Sequence, residues 1–519
     1  MNTFKSLMKI AVKPTTIVFA VVSLLGAPVF SACKYGGHLK VAIPGHFTSM
    51  DPHLGRSGWD AYLWRQFTDH LVDADRSLNP RPISSLAEKW EVSSNPDALT
   101  LTLRKGIEFH DGTPFNAEAV KANIERILDP ANSATPRSSL AIIQSVDVLS
   151  ENKVRLNLSG PWGAGLSQLA DRGGAMNSPT AISKLGEDYG AKAVGTGPFV
   201  IKEAVQGSHV HFVRNENYWG KDKDGNRLPY LDEVTIRQVK KSSVRTAALR
   251  SGEIDLAYAS LGDIEAFEAD AKFNTSRMEA GKINLMLMFN TKMLDDPNLR
   301  NAITHAIDPA FINKAIYFGQ NTVADSGMWL PGAWAHDPSV PRPSYNPAKA
   351  KEFLKKAGKP NGFEFTMVTF GARKPESEVM QAQLAQVGIK MNIEVMSGKA
   401  AGAAFFKEGK FAMYATSFSR YPEPDWAGSN VYKSSGYYNA ANLPNPELDA
   451  LIEKGAALSD IDERKKIYRK VDEIVLGQSI VVPMVYQTFV TVASKKVGNI
   501  DTVSMHDGKM NFREVCMTE

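Results

Sequence analysis

Apolar and polar positions along this chain alternate between two periods. In Leu99-Thr100-Leu101-Thr102-Leu103-Arg104 the period is two, which predicts a strand with one buried face. The surrounding stretch, residues 86–120, reads as the end of a helix, a strand, a turn, that second strand, a loop and the start of a further helix. Asp111-Gly112 supplies turn chemistry, and Asn116 stands where a helix N-cap is needed. Other short strands are predicted at 39–43, 142–148, 154–158, 199–204, 210–214, 234–237 and 285–290. Helical spacing takes over at 59–69, 117–128, 246–251 ahead of Gly252, 297–306 and 346–357 ahead of Gly358. In the 297–306 segment, Leu299, Ala302, Ile303 and Ala306 share one face. Strand 363–368, helix 377–387 stopped by Gly388, and strand 390–395 make a β-α-β unit, for which a right-handed crossover and a parallel strand pair are expected. The alternation of strands and helices predicts an α/β fold, and no internal repeat or low-complexity tract interrupts it.

The one long apolar run, residues 15–25, follows Lys5, Lys9 and Lys13 and precedes the small-residue zone Val29-Phe30-Ser31-Ala32. A basic start, a short apolar core and a small-residue cleavage zone predict a secretory signal peptide over 1–32. Its apolar core is shorter than the roughly 20 residues a spanning helix needs. Removing it takes away three lysines and no acids, lowering the formal charge from +4 to +1. So small a basic excess gives no electrostatic case for nucleic acid. A chain of 519 residues is too long for one hydrophobic core, so two or more domains are expected. Two cysteines, Cys33 and Cys516, lie near the ends of the exported chain. Cys33 either closes a lipoprotein cleavage site and carries a lipid anchor, or joins Cys516 in a disulfide in an oxidising compartment.

The chain lacks HExxH, a GxSxG elbow, a phosphate-binding loop and any cysteine pair at metal-ligand spacing. Its ten histidines are scattered. His209 and His211 share a strand face, as a surface metal pair or as part of a solvated hairpin, and His110-Asp111 belongs to a turn. No catalytic residue, metal or cofactor is called for, and no enzyme activity is expected.

Six motifs in order carry a resemblance. They are the 86–120 stretch, Gly195-Thr196-Gly197-Pro198-Phe199 with the run to Gly220 (RNENYWG), and Phe289-Asn290-Thr291 followed by LRNAITHAID at 299–308. LAQVGI at 384–389 and NPELDALI at 445–452 complete the set. Together they resemble the extracellular solute-binding proteins of peptide-type ABC importers, the dipeptide, oligopeptide and nickel-binding class (family 5, cluster C). The resemblance implies a two-lobed periplasmic-binding-protein fold (type II, large cluster C form) with an extra subdomain inserted in the first lobe. Residues 33–78, 193–285 and 486–519 would form lobe 1, 79–192 the insert and 286–485 lobe 2. It further implies a periplasmic monomer that closes about a hinge on a small peptide-like or acidic solute and delivers it to the membrane subunits of an ABC permease. An exported peptide-binding chaperone or sensor on the same scaffold is the alternative.

In relatives that take peptides, an aspartate three residues before an acidic-Pro motif receives the ligand's ammonium group. The corresponding stretch here is Ser417-Phe418-Ser419-Arg420-Tyr421-Pro422-Glu423-Pro424, so Arg420 holds that place. Arg373 falls near the family position that holds a peptide's carboxylate. Two guanidinium groups suit an acidic ligand: an opine, a sugar-acid conjugate, a dicarboxylate, or a peptide held in another way. Alternatively Arg420 pairs with Glu423 or Asp425, and Arg373 is a solvated loop residue beside Lys374. Ser417 and Ser419 flank Phe418, which with Tyr421 either stacks on ligand or belongs to the core. Phe47, Thr48 and Ser49 of the first loop, Asn177, and Trp334 are further cleft candidates.

Overall fold

The computed structural model describes residues 33–74, 81–93, 97–419, 423–436, 438–439, 443–504 and 509–518. The expected signal peptide and the candidates Arg420 and Tyr421 lie outside the described residues. In the first part of the chain the strands are β1 (His38–Ile43), β2 (Ala87–Val92), β3 (Ala98–Leu103), β4 (Ile143–Ser150), β5 (Lys153–Leu158), β6 (Phe199–Val205), β7 (His209–Arg214), β8 (Glu233–Gln238) and β9 (Leu256–Tyr258). Then follow β10 (Phe273–Phe289), β11 (Thr322–Val323), β12 (Glu364–Phe370), β13 (Lys390–Met396), β14 (Met413–Ser419) and β15 (Val481–Ser494).

One large sheet runs β13-β12-β14-β10-β15-β9-β1-β8-β7-β6, with β11 on β15, and a second sheet runs β2-β3-β5-β4. The period-two strand behaves as its pattern predicts: Leu99, Leu101 and Leu103 are buried with Val154 and Leu156 of the neighbouring strand, under the helix Ala117–Leu128. That helix is capped by Asn116, whose side chain accepts from the Ala119 amide. The helix end expected ahead of β2 is only a 3-10 turn, Pro82–Ser84. Strands β12 and β13 pair in parallel, joined by the helix Lys374–Ala385, as the β-α-β pattern requires. Cys33 and Cys516 are joined in a disulfide with a Cα–Cα separation of 5.5 Å, which leaves Cys33 no thiol to acylate.

The two longest strands, β10 and β15, pair antiparallel at the centre of the large sheet and contribute to both halves of the molecule. Phe273, Val490 and Val492 pack with Leu249 and Phe267, beside the core built on β1 and β6–β8. At the opposite ends Leu285, Leu287, Val482 and Val485 pack with Ile303, Met367 and Leu384. Between the halves the pairing slips: Met278 faces Phe489, and the next pair is Lys282 with Gln487. Four residues of β10 thus advance against two of β15, a bulge. Ala280 takes a left-handed φ of 51° there. A Cβ on Gly281 would lie 2.3 Å from the Phe489 ring, so only glycine fits the approach. The pairing of the two strands is interrupted at this point.

Candidate functional site

The sequence motifs fold together as a joint rather than as reactive chemistry. A Cβ on Gly195 would lie 2.2 Å from the Phe67 carbonyl oxygen, and one on Gly197 2.5 Å from the Phe67 carbonyl carbon, so both glycines are required by backbone pressed on backbone. Between them Thr196 donates to Asp69 at 3.2 Å. The Tyr218 hydroxyl (3.0 Å) and Trp219 Nε1 (2.9 Å) donate to the same carboxylate, and Arg513 reaches it at 3.1 Å. His110 Nε2 lies 2.9 Å from the Gly197 carbonyl, and burial pushes this imidazole down to about 4, so it is neutral near pH 7 and donates. Four distant stretches of chain are locked around one buried carboxylate.

The first-loop candidates serve a neighbouring network. Phe47 is 4% exposed and belongs to the core under β1. Thr48 is exposed, but its hydroxyl and amide donate to Asp60 at 2.9 and 2.6 Å, while Ser49 Oγ accepts from the Asp51 amide at 3.0 Å. Asn177 is fully buried. Its backbone is clamped by the Asn123 side chain at 3.0 and 2.8 Å, and its own amide lies 3.4 Å from His53 Nδ1. Sequence placed Phe47 and Asn177 in the cleft; packing places both in the interior.

Other candidates gather on the second lobe. Ser417, Phe418 and Ser419 of β14 line a pocket of about 460 Å³ together with Tyr414, Phe406, Tyr438, Lys399 and Lys407. Phe418 is held edge-on to Tyr438 at 5.3 Å and lies 5.8 Å from Trp426. Arg373, expected on a loop, is 8% exposed. Its Nη1 donates to Glu376 and to the Tyr317 hydroxyl, both at 2.8 Å, and Nη2 donates to Asn284 at 2.9 Å. The fork is therefore engaged internally, a correction to both readings of this residue: it is neither solvated nor free to chelate a carboxylate. Trp334 packs on Tyr468 and lies under the Arg464 guanidinium, 4.8 Å away, so its role here is packing.

Sequence reasoning missed Lys282. It sits in β10 beside the bulge, opposite Ser419 of β14 and Gln487 of β15. Burial pushes its ammonium down to about 8, and the charges of Arg373 and Lys509 push the same way. Lys509 lies near the C-terminus, with its Nζ 5.7 Å from the Tyr62 ring. Among the described residues no carboxylate pairs with Lys282. Lys282 thus feels the charges of two other cations and, among the described residues, has no carboxylate partner.

Residues 81–439 match the model of the bacterial extracellular solute-binding proteins, family 5 Middle. The chain belongs to that family. It is 30% identical to the glutathione-binding protein GsiB of Escherichia coli O6:K15:H31 (strain 536 / UPEC) over 489 residues, which cover 91% of this chain and 94% of that protein. The ABC transporter-associated periplasmic binding protein DppA of Helicobacter pylori, solved with the peptide STSA, is similar at a TM-score of 0.77 and 27% identity, over 94% of this chain and 99% of that one. AgaA from A.tumefacien R10, solved with agropinic acid, gives a TM-score of 0.73 at 25% identity, over 91% and 96% of the two chains. Family 5 proteins are the solute receptors of ABC importers, and these relatives are binding proteins rather than enzymes. Among the described residues no helix is long and apolar enough to cross a membrane.

In this family 5 protein the lobes also touch away from the strand crossing. Glu423 forms a buried ion pair with Arg464. Ser167, from the unit built on the second sheet, donates to Glu423 at 3.3 Å, and Arg464 reaches across to the Gly163 carbonyl at 3.2 Å. The Gly163 amide donates to the Ala456 carbonyl at 3.0 Å. A Cβ on Gly163 would lie 1.9 Å from the Leu458 carbonyl oxygen, so glycine is what lets the two surfaces meet.

Proposed function

We propose that this receptor captures an acidic solute, peptide-like or opine-like, between its lobes and releases it to the membrane subunits of an ABC permease. The lobes are taken as 33–78 with 193–285 and 486–519, carrying the insert 79–192, and as 286–485. The observation that carries the ligand class is Lys282, a half-buried cation between Arg373 and Lys509 that lacks a carboxylate partner among the described residues. A desolvated ammonium without a counter-ion costs free energy in the empty protein, and an anionic guest supplies the missing charge. GsiB binds glutathione and AgaA agropinic acid, both carrying carboxylates, which agrees with this reading. Arg420, in the place where peptide-binding relatives receive an ammonium, adds a further cation in sequence. The Ser417–Phe418–Ser419 pocket, with Lys399 and Lys407 at its edge, extends the site into the second lobe.

The protein works as an exported monomer. Residues 1–32 direct export, and the disulfide at Cys33 removes the thiol that a lipid anchor would use. A thermal-shift screen against glutathione, opines, dicarboxylates, sugar acids and neutral dipeptides tests the ligand class. An anionic compound should raise the melting temperature, with unchanged compound recovered after long incubation. Lys282→Met should weaken its binding at least about tenfold, the loss of one charge-assisted contact. A neutral dipeptide that binds best, and equally well to Lys282→Met, would refute the acidic assignment.

A further inference from the structure

Remote from the cleft, β1, β8 and β7 lie side by side in the large sheet. Residues two apart on a strand share a face, so the register can bring side chains from three strands to one patch. His38 of β1 stands opposite Glu233 of β8, and His211 of β7 stands opposite Thr235, two residues on from Glu233. The three side chains converge: His38 Nδ1 is 3.5 Å and His211 Nε2 is 3.1 Å from the same oxygen, Glu233 Oε2. The two imidazoles stack at 5.5 Å with their planes 15° apart, which directs one nitrogen of each to the carboxylate. All three residues are half-buried, and one donor atom from each lies within 4.8 Å of the other two. His209, which the sequence pairs with His211, turns instead to Glu203 at 3.4 Å and to Ser208 at 3.0 Å.

We propose that His38, His211 and Glu233 hold one divalent transition-metal ion of the Zn2+ type, with water completing its coordination. Two imidazole nitrogens and one carboxylate oxygen are a donor set that suits borderline cations such as Zn2+, and too few oxygens to favour Mg2+ or Ca2+. With Nδ1 on the metal, His38 Nε2 carries its hydrogen and donates to Thr235 Oγ1, 2.8 Å away, which fixes the ring and its tautomer. The ligands stand on three adjacent strands of a sheet, so little chain entropy opposes their assembly. The ion would staple β1 to the paired strands β7 and β8, an effect independent of solute capture.

The test uses the whole protein, stripped with a chelator and titrated with Zn2+ by calorimetry, with Co2+ as the spectroscopic probe. One equivalent should bind, visible Co2+ absorption should mark a nitrogen-oxygen site of low coordination number, and X-ray absorption should count two imidazoles. His211→Gln should weaken Zn2+ at least about tenfold. Thr235→Val, which touches no metal, should weaken it by about tenfold through His38. The circular dichroism and chelator-state melting temperature of each variant should match the parent, since the patch is half-exposed. No bound equivalent in the parent, or Zn2+ affinity unmoved by His211→Gln and Glu233→Gln, would overturn the site.

Discussion

Replacing Gly163 by alanine should prevent the lobes from closing fully, and the size of the effect follows from the contact itself. The added Cβ would stand 1.9 Å from the Leu458 carbonyl oxygen and 3.1 Å from the Ala456 carbonyl oxygen. Backbone rather than a flexible side chain is in the way, so the surfaces must separate by about 1.5 Å to restore ordinary contact. Two links are lost in that separation: the Gly163 amide to Ala456 at 3.0 Å and Arg464 to the Gly163 carbonyl at 3.2 Å. At about 1 kcal/mol net for each hydrogen bond, closure becomes less favourable by about 2 kcal/mol. If solute binds tightly only to the closed form, its apparent affinity falls by the same factor, about thirtyfold. Ser167→Ala, which removes only the 3.3 Å bond to Glu423, should cost no more than about fivefold. Calorimetric titration with the solute found by the screen, and small-angle scattering of the saturated complex, read both quantities. The melting temperature of the solute-free protein should hardly move, because no core residue is altered. An affinity within twofold of the parent, with the same radius of gyration when saturated, would refute the role of this contact in closure.

Three further substitutions separate stability from binding. Lys282→Met should stabilise the solute-free protein at pH 7 by up to about 3 kcal/mol, because the ammonium drops from 10.5 to about 8 on folding. The folded state binds fewer protons than the unfolded chain between those values, so the parent gains stability as pH rises from about 8 to 10.5 and the advantage of the variant shrinks; chemical denaturation at pH 7 and 10 checks the sign. Asp472 is fully buried with both carboxylate oxygens unpartnered among the described residues, and burial holds its pKa well above the ordinary value. Asp472→Asn should therefore be stabilising by at least about 1 kcal/mol at pH 7, with a gain that vanishes below pH 3.8, where folded and unfolded carboxyls are both protonated; melting curves at pH 3.5 and 7 compare the two. Arg373→Met leaves Glu376 buried and uncompensated and should destabilise by about 3–5 kcal/mol in urea titrations, far more than loss of a solvated ligand contact would.

How much the sequence reveals depends on how each element is buried. Strands with one wet face are legible: Leu99, Leu101 and Leu103 alternate because only one side of β3 meets the helix Ala117–Leu128. The end of β10 from Ile283, β14 and β15 are covered on both sides for most of their length, so alternation disappears. Only the end of β10 stood out, as an apolar run. The GTGPF motif was visible as a string, but its cause, the Phe67 backbone lying against both glycines, comes from over a hundred residues earlier in the chain. The same holds at the site. Arg373 read as a free guanidinium because its partners Tyr317 and Asn284 are 56 and 89 residues away. Lys282 was passed over as one lysine before an apolar stretch, although a lone cation entering a fully buried strand is a local sign that can be read.

The strand crossing combines two demands that oppose each other. A hinge needs weak pairing, and β10 supplies it through a slipped register at Ala280 and Gly281. An anion site needs cations held rigidly and away from water, and Lys282 follows that bulge directly, where β14 and β15 still fix its backbone on both sides. Arg373 is tied to the same strand through Asn284, two residues on from Lys282, and its charge and that of Lys509 act on the Lys282 ammonium. On the function proposed above, a carboxylate guest supplies the counter-charge that Lys282 lacks among the described residues. The proposed function therefore makes closure depend on the solute's charge as well as on its shape. This predicts that a neutral isostere of the true solute, such as its amide, loses binding more steeply than one hydrogen bond explains.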